Sequence, residues 1–309
     1  MKFGVLHFSY SRFGHFEREY AATGKFSVNL GDYMQTLAVR RLYSRLGIDD
    51  AQIVPIDRET LSTYDGPPVF LPMNACFYHW CFPLPPAITP IWIGFQARKE
   101  LIVKHSDFFR TQGAIGCRDS ATAAHFTALG IDNFISGCLT LSLPPRAAAP
   151  DAATARILCI HGTNAGRLPG TLLPAIPKDM LERIEFVSQR RDMTHFPLTP
   201  EDCADLEALT TALLQHYMDT AERIITPLHH ATTPCLASGI PVVLCRAEAD
   251  DRFSWLKDLM PVYVAPDFDQ IDWSAPLVDI SEIRNAQIDR FASLLEAARQ
   301  QAENAGQSG

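Results

Sequence analysis

Short runs rich in valine, isoleucine and phenylalanine alternate along this chain with stretches whose apolar residues recur every three to four positions. Strand-like runs separated by helix-period segments are the pattern of βα units, in which each crossover helix covers a face of a parallel sheet. The pattern predicts a first strand at 2–8, a long polar and aromatic loop, and then a helix over 32–46. In that helix Met34, Leu37, Ala38, Leu42 and Leu46 fall at helical spacing, and Gly47 marks its stop. Further strands are expected at 53–56, 69–73, 91–95 and 114–117, with helices at 99–109 and 120–129 and a short strand at 134–135.

Residues 144–151, PPRAAAPD, break the alternation. They have no periodicity, and proline removes backbone donors, so they read as a linker. Beyond them the alternation restarts with a strand at 156–160, a loop at 161–170, a strand at 185–188 and a helix at 201–221. Strands at 223–226, 240–244 and 262–265 follow. The expected fold class is α/β: two Rossmann-like domains, 1–145 and 152–279, facing each other across a cleft. A last helix, 280–303, carries Ile283, Ile288, Phe291, Leu294 and Leu295 on a face suited to lie across both halves. Ligands of open α/β sheets bind beyond the carboxyl ends of strands, so those ends are where chemistry is sought.

Composition narrows the function class. At 309 residues and 47% hydrophobic content, the chain is long enough for two domains of ordinary size. The net charge is −8 and lysine and arginine form no cluster, so nucleic acid is not an expected partner. The 8 cysteines are dispersed without a CxxC pair, which argues for packed thiols and against a zinc or disulfide scaffold. The first residues, MKFGVLHFSYSRFGHFERE, fit neither a signal peptide nor a membrane span, and no other apolar stretch reaches the roughly 18 residues a membrane helix needs. The cytoplasm is the expected location, with peripheral membrane association left open.

Three segments place polar chemistry at strand-to-helix junctions. In Asn29-Leu30-Gly31-Asp32, Asp32 is suited to cap the following helix, and a carboxylate and an amide beside free N–H groups can also orient a sugar hydroxyl or an anion. In Gly116-Cys117-Arg118-Asp119-Ser120, Arg118 falls at a strand end, where it either pairs with Asp119 or holds a carboxylate or phosphate bidentately. In Thr226-Pro227-Leu228-His229-His230, two histidines stand where a strand gives way to a helix. Their spacing is not that of HExxH, and no metal is expected. Phe13, Phe16, Tyr20, Phe77, Tyr78 and Trp80 supply either core or stacking surfaces for sugar rings.

Taken together, the segments resemble the polysaccharide pyruvyl transferase family. The likeness rests on N-x-G-D-x-x-Q-x-x-A at Asn29, Gly31, Asp32, Gln35 and Ala38, and on the Arg118-Asp119 pair opening a helix. It continues through Gly137-Cys138-Leu139-Thr140 to Thr226, Leu228, His229, Gly239, Pro241 and Val242. It spans most of the chain, from about residue 1 to 259. The resemblance implies a fold like the two-domain GT-B glycosyltransferases. It also implies transfer of pyruvate from phosphoenolpyruvate to two hydroxyls of a sugar or lipid-linked glycan as a cyclic ketal, without a cofactor. Arg118 would clamp the donor, His229 would be its acid or phosphate partner, and Asp32 would orient or deprotonate the acceptor with Asn29 assisting. Gly31, Asp119, Thr140, His230 and Arg246 complete the implied binding residues.

Two departures weaken this likeness: Cys138-Leu139-Thr140 stands where many members have Asp-Pro-Thr, and Pro227 stands where the family has arginine, with Arg246 or His230 positioned to restore the missing charge. Two other readings therefore stay open. One is a GT-B-like glycosyltransferase using a nucleotide sugar, with His161-Gly162-Thr163-Asn164-Ala165-Gly166 as a faint phosphate loop. The other is a non-catalytic, carbohydrate-binding member of the family.

Overall fold

A computed structural model describes residues 1–163, 166–274 and 277–307. Two parallel sheets dominate it, as an α/β chain requires. The N-terminal sheet has the order Ile53–Asp57, Lys2–His7, Val69–Pro72, Ile88–Ile91. Its second strand is buried from Phe3 to His7, which explains the near-continuous apolar run: both faces are covered. The last strand lies earlier than the expected 91–95. Pro90 is accommodated because Ile88–Ile91 is an edge strand, where the donor that proline lacks is not needed for the ladder. Residues 92–95 then run on as a loop, bridging to the strand Ile115–Cys117 through Phe95 and Cys117.

The C-terminal sheet has five strands in the order Ile184–Ser188, Arg156–His161, Ala221–Thr226, Val242–Arg246, Val262–Val264, all parallel. The helix Pro200–Thr220 leads into its central strand. Thr199 and Asp202 close a reciprocal capping box at its start, and proline opens the first turn, where no N–H is required. This helix packs on Leu30–Arg45, and its Glu207 binds His7 at 3.0 Å and also Arg40.

The expected loop between the first strand and the first long helix is ordered structure. It contains a helix, Gly14–Thr23, closed by Gly24 in the left-handed region (φ 69°), and a strand, Phe26–Asn29. That strand pairs antiparallel with Arg190–Met193 of the other half, with Asn29 opposite Arg190. Neither was foreseen, because each is too short for periodicity to register and their partners are distant in sequence.

The two halves share apolar packing. One cluster contains Phe3, Val5 and Leu37 together with Leu158, Ile160 and Ile224, so the cores are not separate. The last helix, Ser281–Gln307, joins the same cluster through Phe291 and Leu295. Phe291 lies 5.8 Å from Tyr43, Arg299 covers the Phe3 ring, and Arg284 donates to the Ala237 carbonyl at 2.7 Å. Residues 144–151 form no helix or strand, but Arg146 ties them to Ala221 and Ser238. Among the described residues no helix is long and apolar enough to cross a membrane.

Because Phe291 is fully buried in the shared cluster, Phe291→Ala should cost about 3–5 kcal/mol. Urea unfolding should show that loss in one transition that destabilises both halves. A loss confined to a separate early phase would mean that the halves do not share a cooperative core.

Candidate active site

The carboxyl ends of strands from both sheets converge on a cavity of about 620 Å³. Its wall is built from strand-end segments: Arg58 after Ile53–Asp57, Arg118 after Ile115–Cys117, and Gly162 and Thr163 after Arg156–His161. Gln189 and Arg190 follow Ile184–Ser188, and Pro227 to His230 follow Ala221–Thr226. Asn29, Asp32 and Gln35 contribute the start of the helix Leu30–Arg45, and Phe13, Phe16 and Tyr78 an aromatic flank.

At the first junction the helix begins earlier than expected, so Asp32 is not the cap. Asn29 is: its Oδ1 accepts the N–H of Gly31 at 3.0 Å. Asp32 sits in the first turn, where the helix N-terminus favours its charge. The Tyr10 hydroxyl donates to Asp32 Oδ2 at 2.9 Å, and Asn29 Nδ2 lies 3.4 Å from Oδ1. Tyr10 is the one non-glycine residue among those described with positive φ, 58°, a conformation that costs energy and tends to persist where function needs it.

At the second junction, Asp119 caps the helix Ser120–Thr127 by accepting the Thr122 N–H at 2.8 Å, and it does not pair with Arg118. Arg118 is held by its own backbone N–H to the Phe95 carbonyl at 2.8 Å. Its side chain is 5% exposed, donates to Gln35 Oε1 at 3.3 Å, and keeps Nε without a partner. A buried guanidinium with unused donors is a group waiting for an anion.

The third junction is pinned by Thr226, whose hydroxyl donates to the Ile160 carbonyl at 2.8 Å and accepts the Leu228 N–H at 3.1 Å. His229 opens the helix His229–Ala237, and the His230 carbonyl accepts from Gln189 Nε2 at 2.8 Å. The two imidazoles meet at 4.9 Å between centroids, with Phe253 and Trp255 against His229. His229 Nδ1 and Nε2 and His230 Nε2 are inaccessible and have no hydrogen-bond partner. Arg246 donates to the Pro227 carbonyl at 2.6 Å, pairs with Asp250 at 3.0 Å and stacks over Phe253.

The charge on the wall is one-sided. Six arginines, at positions 58, 118, 167, 190, 246 and 252, line the cavity against two carboxylates, Glu19 and Asp32. In a chain of net charge −8 this local excess favours an anion. Burial first, then His230, Arg118, Arg252 and Arg246, hold His229 well below the ordinary histidine value. Burial, Arg118 and Arg252 do the same for His230. Both rings are therefore neutral at pH 7.

The cavity brings together Asn29, Asp32, Arg118, His229, His230 and Arg246. The other sequence candidates stand behind it. Asp119 is a cap; Thr140 is fully buried, 2.6 Å from the Thr233 hydroxyl; and Gly31 lies under His230, where a Cβ would come within 2.9 Å of the His230 Cβ. Cys117 is a packed thiol whose pKa burial pushes up to about 12. Arg58, Arg190, Arg252 and Tyr10 were missed. The first two lie two residues past the ends of the expected strands 53–56 and 185–188, so a strand-end rule that reaches that far would flag them.

No family model matches the chain, and no curated protein does. Among solved structures, it is similar to a functionally uncharacterised protein of Klebsiella pneumoniae, at 11% identity over 82% of this chain and 88% of that one, with a TM-score of 0.40. It is also similar to the glycosyltransferase SnogD of Streptomyces nogalater, at 12% identity over 98% and 99% of the two chains, with a TM-score of 0.34. Overlaps this loose carry no argument about function.

The neutral histidines give a signed prediction. Their folded values lie below 6.5, so as pH falls through that range the unfolded chain binds protons that the folded chain refuses. Stability contributed by these two rings is present above the ordinary value and lost below it. Replacing both with glutamine should flatten the decline in stability between about pH 7 and pH 5.5. Parallel pH profiles for the wild type and the double variant would show that the rings are not held neutral.

Proposed function

We propose that the protein is a polysaccharide pyruvyl transferase, moving pyruvate from phosphoenolpyruvate onto two hydroxyls of a sugar as a ketal and releasing phosphate. The observation that carries this reading is the shared cavity. Arg118 from one half and His229, His230 and Arg246 from the other line it together, and each of the four side chains keeps at least one nitrogen without a protein partner. A donor bearing both a carboxylate and a phosphate matches a wall of this charge.

The chemistry follows from the electrostatics. In the free protein burial first, then His230 and the arginines, suppress protonation of His229. A bound multiply charged anion offsets the arginines, so His229 takes up a proton and becomes the acid for the donor's methylene carbon. Protonation leaves an oxocarbenium-like C2, which the first sugar hydroxyl attacks. Asp32, oriented by Tyr10 and Asn29, accepts that hydroxyl's proton. The C2–O bond to phosphate then breaks, and the second hydroxyl closes the ketal. In the balance, one of the two hydroxyl protons ends on the methyl group and the other on phosphate. Arg246 supplies, against the carbonyl of Pro227, the positive charge that the family's arginine would carry. Asp119 and Thr140 act from behind by fixing the segments on which Arg118 and His229 stand. The sugar lies on the side of Phe13, Phe16 and Tyr78, and the reaction belongs in the cytoplasm, where phosphoenolpyruvate is available.

A second reading has its own support. Gly162, Thr163, Gly166 and Arg167 also line the cavity, and this is the loop that would cradle the pyrophosphate of a nucleotide sugar in a GT-B-like glycosyltransferase. Asn164 and Ala165 of that loop lie outside the described residues. A non-catalytic carbohydrate binder would bind glycan but no phosphorylated donor.

Thermal-shift measurements should show stabilisation by phosphoenolpyruvate and not by UDP-, GDP- or CMP-sugars; the reverse order would favour glycosyl transfer. With a suitable acceptor, Arg118→Ala and His229→Ala should each lower phosphate release by roughly 10²–10³-fold. Wild-type turnover in both would remove these roles. Calorimetry of phosphoenolpyruvate binding in two buffers of different ionisation enthalpy should report net proton uptake near neutral pH, and proton release would contradict the assignment of His229.

A further inference from the structure

Behind the two histidines lies a third metal-ligating side chain that the sequence keeps far from them. Cys138 Sγ and one ring nitrogen each from His229 and His230 lie within 4.8 Å of one another. Zinc bonds nitrogen at about 2.0–2.1 Å and sulfur at about 2.3 Å, so tetrahedral donors stand roughly 3.5 Å apart. Side-chain rotations of about an ångström close the present spread to that distance. The donors are also in the right state. Three of the ring nitrogens are inaccessible and unpartnered, so no protein hydrogen bond competes with a metal for them.

The surroundings of the sulfur fit a thiolate ligand. The Thr140 hydroxyl donates to Cys138 Sγ at 3.1 Å and lies 2.6 Å from the Thr233 hydroxyl. Hydrogen-bonded support of this kind orients a ligating group and stabilises its charge. On the other side Gln189 fixes the backbone of His230 by donating to its carbonyl.

We propose that Cys138, His229 and His230 form a three-ligand site for a soft or borderline metal ion of the zinc class, with its fourth position open to the cavity. Binding releases the thiol proton, so the thiolate offsets one of the ion's two charges. A small anion in the fourth position offsets the other and faces Arg118, Arg246 and Arg252, which would otherwise oppose a cation. An ion here occupies the lone pairs that must receive a proton in pyruvyl transfer. On that reading, and only on it, the site is inhibitory.

Cobalt(II) titration of the full chain, with no donor or acceptor present, reads the site directly. One equivalent should produce tetrahedral ligand-field bands and a thiolate-to-cobalt charge-transfer band. Cys138→Ser should abolish the charge-transfer band, and His230→Gln should weaken binding at least roughly tenfold. Absence of the bands in the wild type overturns the proposal, as does a charge-transfer band that survives Cys138→Ser. If the serine variant does not fold, unchanged cobalt affinity in His230→Gln overturns it equally. The spectrum needs no turnover, so failure of the pyruvyl-transfer reading leaves it standing, and its own failure leaves that reading untouched.

Discussion

The antiparallel pairing of Arg190–Met193 with Phe26–Asn29 is the constraint on which the cavity depends. It crosses between the halves, and its last pair, Asn29 opposite Arg190, lies on the cavity wall. From Asn29 the chain turns straight into the helix that carries Asp32 and Gln35, while Leu30 N–H continues the ladder to the Gln189 carbonyl. Gln189 in turn holds His230. A few consecutive hydrogen bonds thus set the distance between a carboxylate from one half and two imidazoles from the other. Gly31 shows how close that approach is, since even one added carbon would press on His230.

Fixing the halves against each other has an electrostatic consequence. Guanidinium groups contributed by separate segments would repel one another in the empty cavity, and the surrounding fold holds them there at a cost. Much of that cost is met by local partners: Asp250 binds both Arg246 and Arg252, and Glu59 binds Arg58, whose charged form burial opposes but Glu59 and Asp32 sustain. Arg118 has only an amide, and the imidazoles have nothing. The groups without a compensating charge, Arg118, His229 and His230, share one cavity wall, and Arg118 acts electrostatically on both rings. This is preorganisation in the sense that the dipoles and charges are in place before the ligand arrives.

Much of the fold was legible because strands buried on both faces and helices of several turns leave strong periodic traces. The strands at Lys2–His7, Arg156–His161 and Val262–Val264 and the long helices were found within a few residues of their ends. What escaped was non-local. The pairing of Phe26–Asn29 with Arg190–Met193 joins segments more than a hundred and fifty residues apart, and its four-residue strands carry no readable period. Aspartate is a good cap, but Asn29 reaches the position first, and the choice between two capping residues three positions apart is made by where the preceding strand ends. Arg118 and the histidines were visible as strand-end residues, and Asp32 as a helix-start residue. Arg252 was not, because it lies beyond the end of its strand and is brought back by Asp250.

Pro227 is the position at which sequence and geometry weigh differently. Read along the chain, proline there departs from the arginine of the family that the sequence resembles. In three dimensions it removes a backbone donor, fixes the turn before His229, and leaves a carbonyl that Arg246 binds at 2.6 Å. An arginine from the next strand of the sheet therefore stands at the same turn, anchored by that carbonyl, by Asp250 and by the Phe253 ring. Anchoring it at three points costs side-chain freedom before any ligand binds, which lowers the entropy lost when an anion arrives. Arg246 is thereby a rigid cation beside the turn, and His229 packs on the same Phe253 ring.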